Sequence, residues 1–169
     1  MAKQKKPFSY IGAQLRKKDF GILGTIDSKD RPHSTGILYG VAPKENPFAI
    51  YVLTGTNFRK TKNIQNNPAV SFVVPFPHYY MRFIPASVVQ FQGTGEILPF
   101  DDSGGQASFQ SSRMLRMNLE VDMAAEEMVF IRIVPNRKLF CYGVGIGMLS
   151  LMKNPHTAEY TVKVPEERH

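Results

Sequence analysis

The spacing of apolar positions changes several times along the chain, and each change marks an element. Residues 7–18 place Tyr10, Ile11 and Leu15 on one side and leave the lysines on the other, which predicts a short amphipathic helix. From residue 20 the pattern turns to β. Residues 20–26 read as a strand, Asp27-Ser28-Lys29-Asp30 as a polar turn, and residues 32–41 as a second strand carrying Gly36 and Gly40, so a hairpin is expected. Residues 48–53 form an unbroken apolar run rich in aromatic and β-branched side chains, the pattern of a strand covered on both faces. A basic stretch follows in which Thr56 or Asn57 can cap a short helix, Phe58 and Ile64 fall on roughly one side, and Pro68 ends it. The chain then returns to a strand as far as Val74. Residues 75–87 carry Pro75, Pro77 and Pro85, which argue for a connecting loop with its own packed side chains.

Residues 88–98 alternate cleanly, with Val89, Phe91, Gly93, Gly95 and Ile97 on one side against Gln90, Gln92, Thr94 and Glu96, as in a half-solvated antiparallel strand. Residues 106–128 carry one long helical pattern with Phe109, Leu115, Leu119 and Met123 facing inward, and Met114, Met117, Met123 and Met128 read as core filler. Residues 128–134 and 138–144 are two further strands turned by Pro135-Asn136-Arg137, and 160–164 a last strand in a C-terminal tail, 145–169. Some six strands at short spacing, one helix after the third and another before the last pair, predict a mainly β (α+β) fold: a small antiparallel barrel with peripheral helices.

Composition adds limits. At 169 residues and 43% hydrophobic the chain is expected to be one folded domain. Its single cysteine, Cys141, permits neither an intrachain disulfide nor a thiolate metal cluster, which fits a reducing cytoplasm. No secretory h-region and no bilayer-length apolar run is present, so no membrane contact is expected. Net charge is +7, but Lys3, Lys5, Lys6, Arg16, Lys17 and Lys18 crowd into a basic N-terminal helix region, residues 1–18, where a solvated face explains them. No nucleic-acid-binding motif accompanies them, and no specific nucleic-acid partner is expected.

The more informative cations are Arg59, Lys60 and Lys62, which fall in or near the first turn of the helix after residue 55. The helix dipole opposes cations there by roughly 0.3–1 kcal/mol each. Either this is a solvated basic face, or the free N–H groups, the Thr54 and Thr56 hydroxyls and the cations form a cradle for phosphate. Gly36 and Gly40 are either bends or places where a planar ligand nears the backbone. In residues 75–87, His78, Tyr79, Tyr80 and Arg82 either cover a barrel end or dimer surface, or reach a bound ring. His33, His78, His156 and His169 show no ligand spacing, so no metal site is expected, and neither a nucleophile elbow nor paired carboxylates occur. That absence is consistent with an enzyme whose cofactor carries the chemistry.

The stretch LTGTNFRKTKNIQNNPAVSFVVPF resembles the cofactor-phosphate segment of the pyridoxamine 5′-phosphate oxidase-like, FMN-binding split-barrel superfamily, with Arg59-Lys60, Asn67-Pro68 and Val70-Ser71 at matching positions. The resemblance implies that Arg59 and Lys60 bind the ribityl phosphate of FMN, with Thr54 a strand-end contact and Thr56 and Lys62 beside them. FGILGTIDSKDRPHSTGILYG is similar to the superfamily's opening hairpin, which implies cofactor contacts from the backbone of Thr35, Gly36, Ile37 and Leu38. Thr35 stands where the oxidases carry an arginine. The resemblance spans residues 20–142 and further implies a split β-barrel and a homodimer with FMN sites at the subunit interface. It does not extend to the oxidases' substrate motifs: the chain has no tryptophan, Val88 stands where they have a glutamine, and their C-terminal arginine segment is not recognisable. The expected function is an FMN-dependent oxidoreductase acting on an unidentified small molecule or redox partner. The alternatives are a deazaflavin-dependent reductase of the same fold, a flavin carrier or sensor without turnover and, third, a haem binder.

Overall fold

In a computed structural model, which describes residues 5–77, 86–120 and 127–165, helix α1 (Phe8–Leu15) is followed by strands β1 (Phe20–Ile26), β2 (Pro32–Leu38), β3 (Gly40–Val41) and β4 (Ile50–Gly55). Helix α2 (Arg59–Asn66), strands β5 (Ala69–Phe76) and β6 (Ser87–Pro99), helices α3 (Ser103–Phe109) and α4 (Arg113–Leu119), and strands β7 (Met128–Pro135) and β8 (Lys138–Tyr142) come next. Helix α5 (Met148–Lys153), a 3-10 turn (Pro155–Thr157) and β9 (Glu159–Lys163) end the described chain. The nine strands form one antiparallel sheet in the order β2-β1-β5-β6-β7-β4-β3, with β8 and β9 branching from β6. Strand β6 is the hub. It pairs with β5 on one side, and on the other with β8 through Val88–Gln90 and with β7 through Gly93–Pro99.

The sheet curls until β2 touches β4 without bonding to it. This is a split β-barrel, mainly β with helices at its margins. The interior is filled by the apolar faces of the strands and by α1, with Leu23, Tyr39, Phe72, Val89 and Ile131 among its fully buried members. A second cluster, Tyr51, Phe109, Leu115 and Phe130, lies between the other face of β4 and β7 and helices α3 and α4. The two-sided burial expected for residues 48–53 is therefore met within this chain.

Several expectations need correction. The single strand over residues 32–41 is two, because Tyr39 turns inward: its N–H donates to Asp19 O (2.8 Å) and its hydroxyl to Leu15 O (2.9 Å). Gly40 is required by packing, since a Cβ there would lie 2.7 Å from the Ser108 carbonyl oxygen of α3; no planar ligand is needed to explain it. The long helix over residues 106–128 is two short ones. Ser112 adopts an extended conformation (φ −140°) and its hydroxyl accepts from Leu115 N, starting α4 anew, while Asp102 caps α3 in the same way. Met114 and Met117 are exposed, not core filler, and Met128 opens β7. Met123 lies outside the described residues, as do His78, Tyr79, Tyr80 and Arg82 of the proline-rich segment. Pro75 does not end β5, which stays paired with β6 as far as Phe76↔Ser87. Residues 145–165 are more than a tail, since they supply α5 and pair β9 with β8.

Candidate functional site

Strand β4 delivers the chain to the split in the barrel, and α2 starts four residues after Gly55. Helix α2 has no side-chain cap and no acid in its first turn; its N-cap is Phe58, in extended conformation (φ −72°, ψ 148°). Neither Thr56 nor Asn57 caps it, because the chain uses them to leave β4: Thr56 N–H donates to Glu127 O at 2.9 Å. The Thr61 hydroxyl instead ties the helix back to Gly55 O (2.8 Å), and Asn63 Nδ2 donates to Thr25 Oγ1 on β1 (2.9 Å). Ile64 is buried but Phe58 is half exposed, so the two do not share a packed side.

The first-turn N–H groups and the positive end of the dipole are thus left to solvent or a ligand. Beside them Thr54, at the end of β4, is 3% exposed, and its Oγ1 has no hydrogen-bond partner among the described residues. A buried hydroxyl without a partner costs about 1–3 kcal/mol. Lys60 lays its ammonium over the Phe58 ring, 4.6 Å from the centroid, and desolvation lowers its pKa. An anion placed there would restore the charge that burial disfavours.

Arg59 Nη2 donates to Asp27 Oδ2 at 3.1 Å. Asp27, 8% exposed, sits in the β1–β2 turn, where Asp30 takes a left-handed conformation (φ 57°). Its Oδ1 accepts from the backbone N–H of Lys29 (2.9 Å) and Arg31 (3.0 Å), and its Oδ2 from Arg31 Nε (3.0 Å) and Nη2 (2.9 Å). The Arg31 guanidinium, followed by these backbone donors, holds the carboxyl well below the usual carboxylate range. Asp27 thereby supplies the negative charge that the helix's own first turn lacks, which the local sequence does not disclose. Lys62 is exposed.

Across the split, β2 bonds among the described residues to β1 alone, so its other edge keeps backbone donors and acceptors that none of them takes up. Thr35 and Leu38 are half buried there, Gly36 is exposed, and the Ile37 side chain enters the core. The structure thus brings Thr54, Thr56, Arg59 and Lys60 together at one helix end and sets Thr35–Leu38 on the neighbouring edge. Sequence reading missed Asp27 and Arg31; its one signal was an aspartate two residues before a lysine and four before an arginine in a turn. His33 Nδ1 lies 3.4 Å from Thr35 Oγ1, and no group of metal ligands exists among the described residues. A cavity of about 700 Å³ bounded by Phe8, Arg16, Lys44, Phe48 and Pro135 opens at the opposite end of β4 and shares no residue with this group.

A split antiparallel barrel with a cationic, uncapped helix end at its opening defines the class. The chain belongs to the pyridoxamine 5′-phosphate oxidase family, whose model matches residues 11–140. Among solved structures it is similar to a heme binding protein from Mycobacterium smegmatis (TM-score 0.68, 12% identity, covering 94% of this chain and 59% of that one). It also resembles HutZ, the heme storage protein from Vibrio cholerae (TM-score 0.60, 18% identity, 82% and 96% covered) and an F420 reductase (0.52, 18%, 73% and 91%). At these identities the likeness is one of fold. No curated protein matches the sequence. Among the described residues no helix is long and apolar enough to cross a membrane.

The Asp27 geometry has a pH consequence. A carboxyl held low in the folded state adds stability that is present above its unfolded pKa, about 4, and is lost as pH falls below that. Wild-type protein should therefore exceed Asp27→Asn in stability by a constant margin above about pH 5, and the margin should shrink steadily toward pH 2. Urea denaturation of both proteins across this range measures it.

Proposed function

We propose that the protein is a flavin-dependent oxidoreductase that holds FMN by its phosphate at the N-terminus of α2 and acts on a small molecule or redox partner. The observation that carries this reading is the unpartnered, buried Thr54 hydroxyl beside an uncapped helix end flanked by Arg59 and Lys60. Arg59, Lys60 and the first-turn N–H groups suit the phosphate, Thr54 and Thr56 the adjoining oxygens, and the free edge at Thr35, Gly36, Ile37 and Leu38 the polar rim of the ring. Lys62, exposed and further along the helix, contributes long-range attraction only. Bound FMN supplies hydride and electron transfer, for which the chain needs no catalytic side chain of its own.

A deazaflavin is the second reading, supported by the fold shared with an F420 reductase and by the same need for a phosphate site. The haem names of two neighbours find less support among the described histidines: His156 is exposed and His33 is turned to Thr35. The visible spectrum of freshly purified protein separates the three, because flavin, deazaflavin and haem absorb differently.

The protein is further proposed to work as a homodimer. The outer face of β1 supports this. Phe20 and Ile22 are 49% and 37% exposed there, beside Val73 and the glutamine pair Gln90 and Gln92. A second copy on this face would lie along β2 and complete the cofactor cleft.

Three outcomes are expected. Replacing Arg59 and Lys60 together by Ala should weaken FMN by about 2–4 kcal/mol, roughly thirty- to a thousandfold, and leave riboflavin nearly unaffected; flavin fluorescence titration reads both, and equal FMN affinity in the two proteins would refute the site. Thr54→Val should stabilise the cofactor-free protein by about 1 kcal/mol, because it removes an unpaired hydroxyl, while weakening FMN severalfold. Thermal denaturation with and without FMN checks the opposite signs. Sedimentation equilibrium at micromolar concentration should give a dimer for the wild type and a monomer for Ile22→Glu.

A further inference from the structure

Two guanidinium groups share one carboxylate oxygen at the mouth of this site. Arg31 reaches Asp27 Oδ2 through Nε and Nη2 at 3.0 and 2.9 Å, and Arg59 reaches the same oxygen through Nη2 at 3.1 Å. Two positive charges against one negative leave a net single positive charge beside a helix end that is itself partly positive. Of the five N–H donors on each guanidinium, Arg31 uses two on the carboxylate and Arg59 one. Both side chains remain largely exposed, at 63% and 57%, so each stays open to a ligand from solvent. The carboxylate holds the two cations closer than their mutual repulsion favours, and the pair is one anion short of neutrality. A tetrahedral dianion with several oxygens suits such a converging pair of forks better than a carboxylate does.

We infer that Arg31 is a second guanidinium for the cofactor's phosphate, and that Asp27 is the positioning residue that sets Arg31 and Arg59 side by side to receive it. This rests on the flavin reading above and adds to it a residue from the β1–β2 turn, outside the helix. It also accounts for the turn's construction. The backbone N–H groups of Lys29 and Arg31 fix Oδ1, so Oδ2 is left to the two guanidinium groups.

The test is flavin fluorescence titration of the full chain with FMN and with riboflavin, which lacks the phosphate. Arg31→Gln should weaken FMN roughly five- to twentyfold and riboflavin less than twofold, the size expected for an exposed charge-assisted contact. Arg31→Lys, which keeps the charge but cannot span carboxylate and phosphate together, should fall between. The double variant Asp27→Asn with Arg31→Gln should stay as weak toward FMN as Arg31→Gln. Recovery of wild-type FMN affinity in that double variant would overturn the inference, since Arg31 would then serve only to neutralise Asp27. Equal losses for FMN and riboflavin in Arg31→Gln would also overturn it, by showing a merely structural role. FMN binding unchanged in Arg31→Gln overturns the inference and leaves the flavin reading standing, whereas a wild-type protein that binds neither flavin overturns both.

Discussion

The seating of α2 in the mouth of the barrel is the contact on which the rest of the site depends. An isolated helix of eight residues without a cap is unstable in water, so tertiary contacts must hold it. Ile64 supplies the apolar contact: it lies over Gly95 of β6, where a Cβ would stand 3.2 Å from Ile64 Cδ1 and from Val70 Cγ1. Thr61 and Asn63 supply the polar ones, to β4 and β1. Three strands therefore grip three positions within one turn of the helix, Thr61, Asn63 and Ile64, and this fixes where the first turn points. A Cβ at position 95 would require the Ile64 and Val70 side chains to give by a few tenths of an ångström.

That seating leaves the N-terminal end of the helix electrostatically unfinished. The chain answers with an anion from elsewhere, Asp27, but surrounds it with more positive charge than it can neutralise. The excess leaves the helix end with a net positive charge. An Arg59 with no such partner would sample many rotamers at the surface, and ordering it on binding would cost side-chain entropy of up to about 2 kcal/mol. Held against Asp27, part of that cost falls on folding, where the core contributes the stability.

Much of this was legible in the linear pattern, and the failures have a common cause. Alternation over residues 88–98 gave the buried and exposed faces of β6 correctly, and the turn at Asp27 and the strand at residues 20–26 were readable because their signals are local. Tyr39 broke an otherwise uniform strand only because Leu15 and Asp19, distant in sequence, offered it partners. The helix over residues 106–128 looked continuous because nothing in its spacing shows that Ser112 will cap a new one. In the candidate site, the motif singles out the Arg-Lys pair and Thr54 as expectations. It does not single out Asp27, whose partnership with Arg59 spans 32 positions and two elements.

Cys141 offers an experimental handle of another kind. It is the single thiol of the chain, fully buried on β8 between β6 and β9, and burial pushes its pKa up to about 12. A thiol so placed reacts with alkylating reagents only when these strands separate. The rate of its modification is therefore a label-free clock for the opening of the barrel, with no engineered probe and no background from other cysteines.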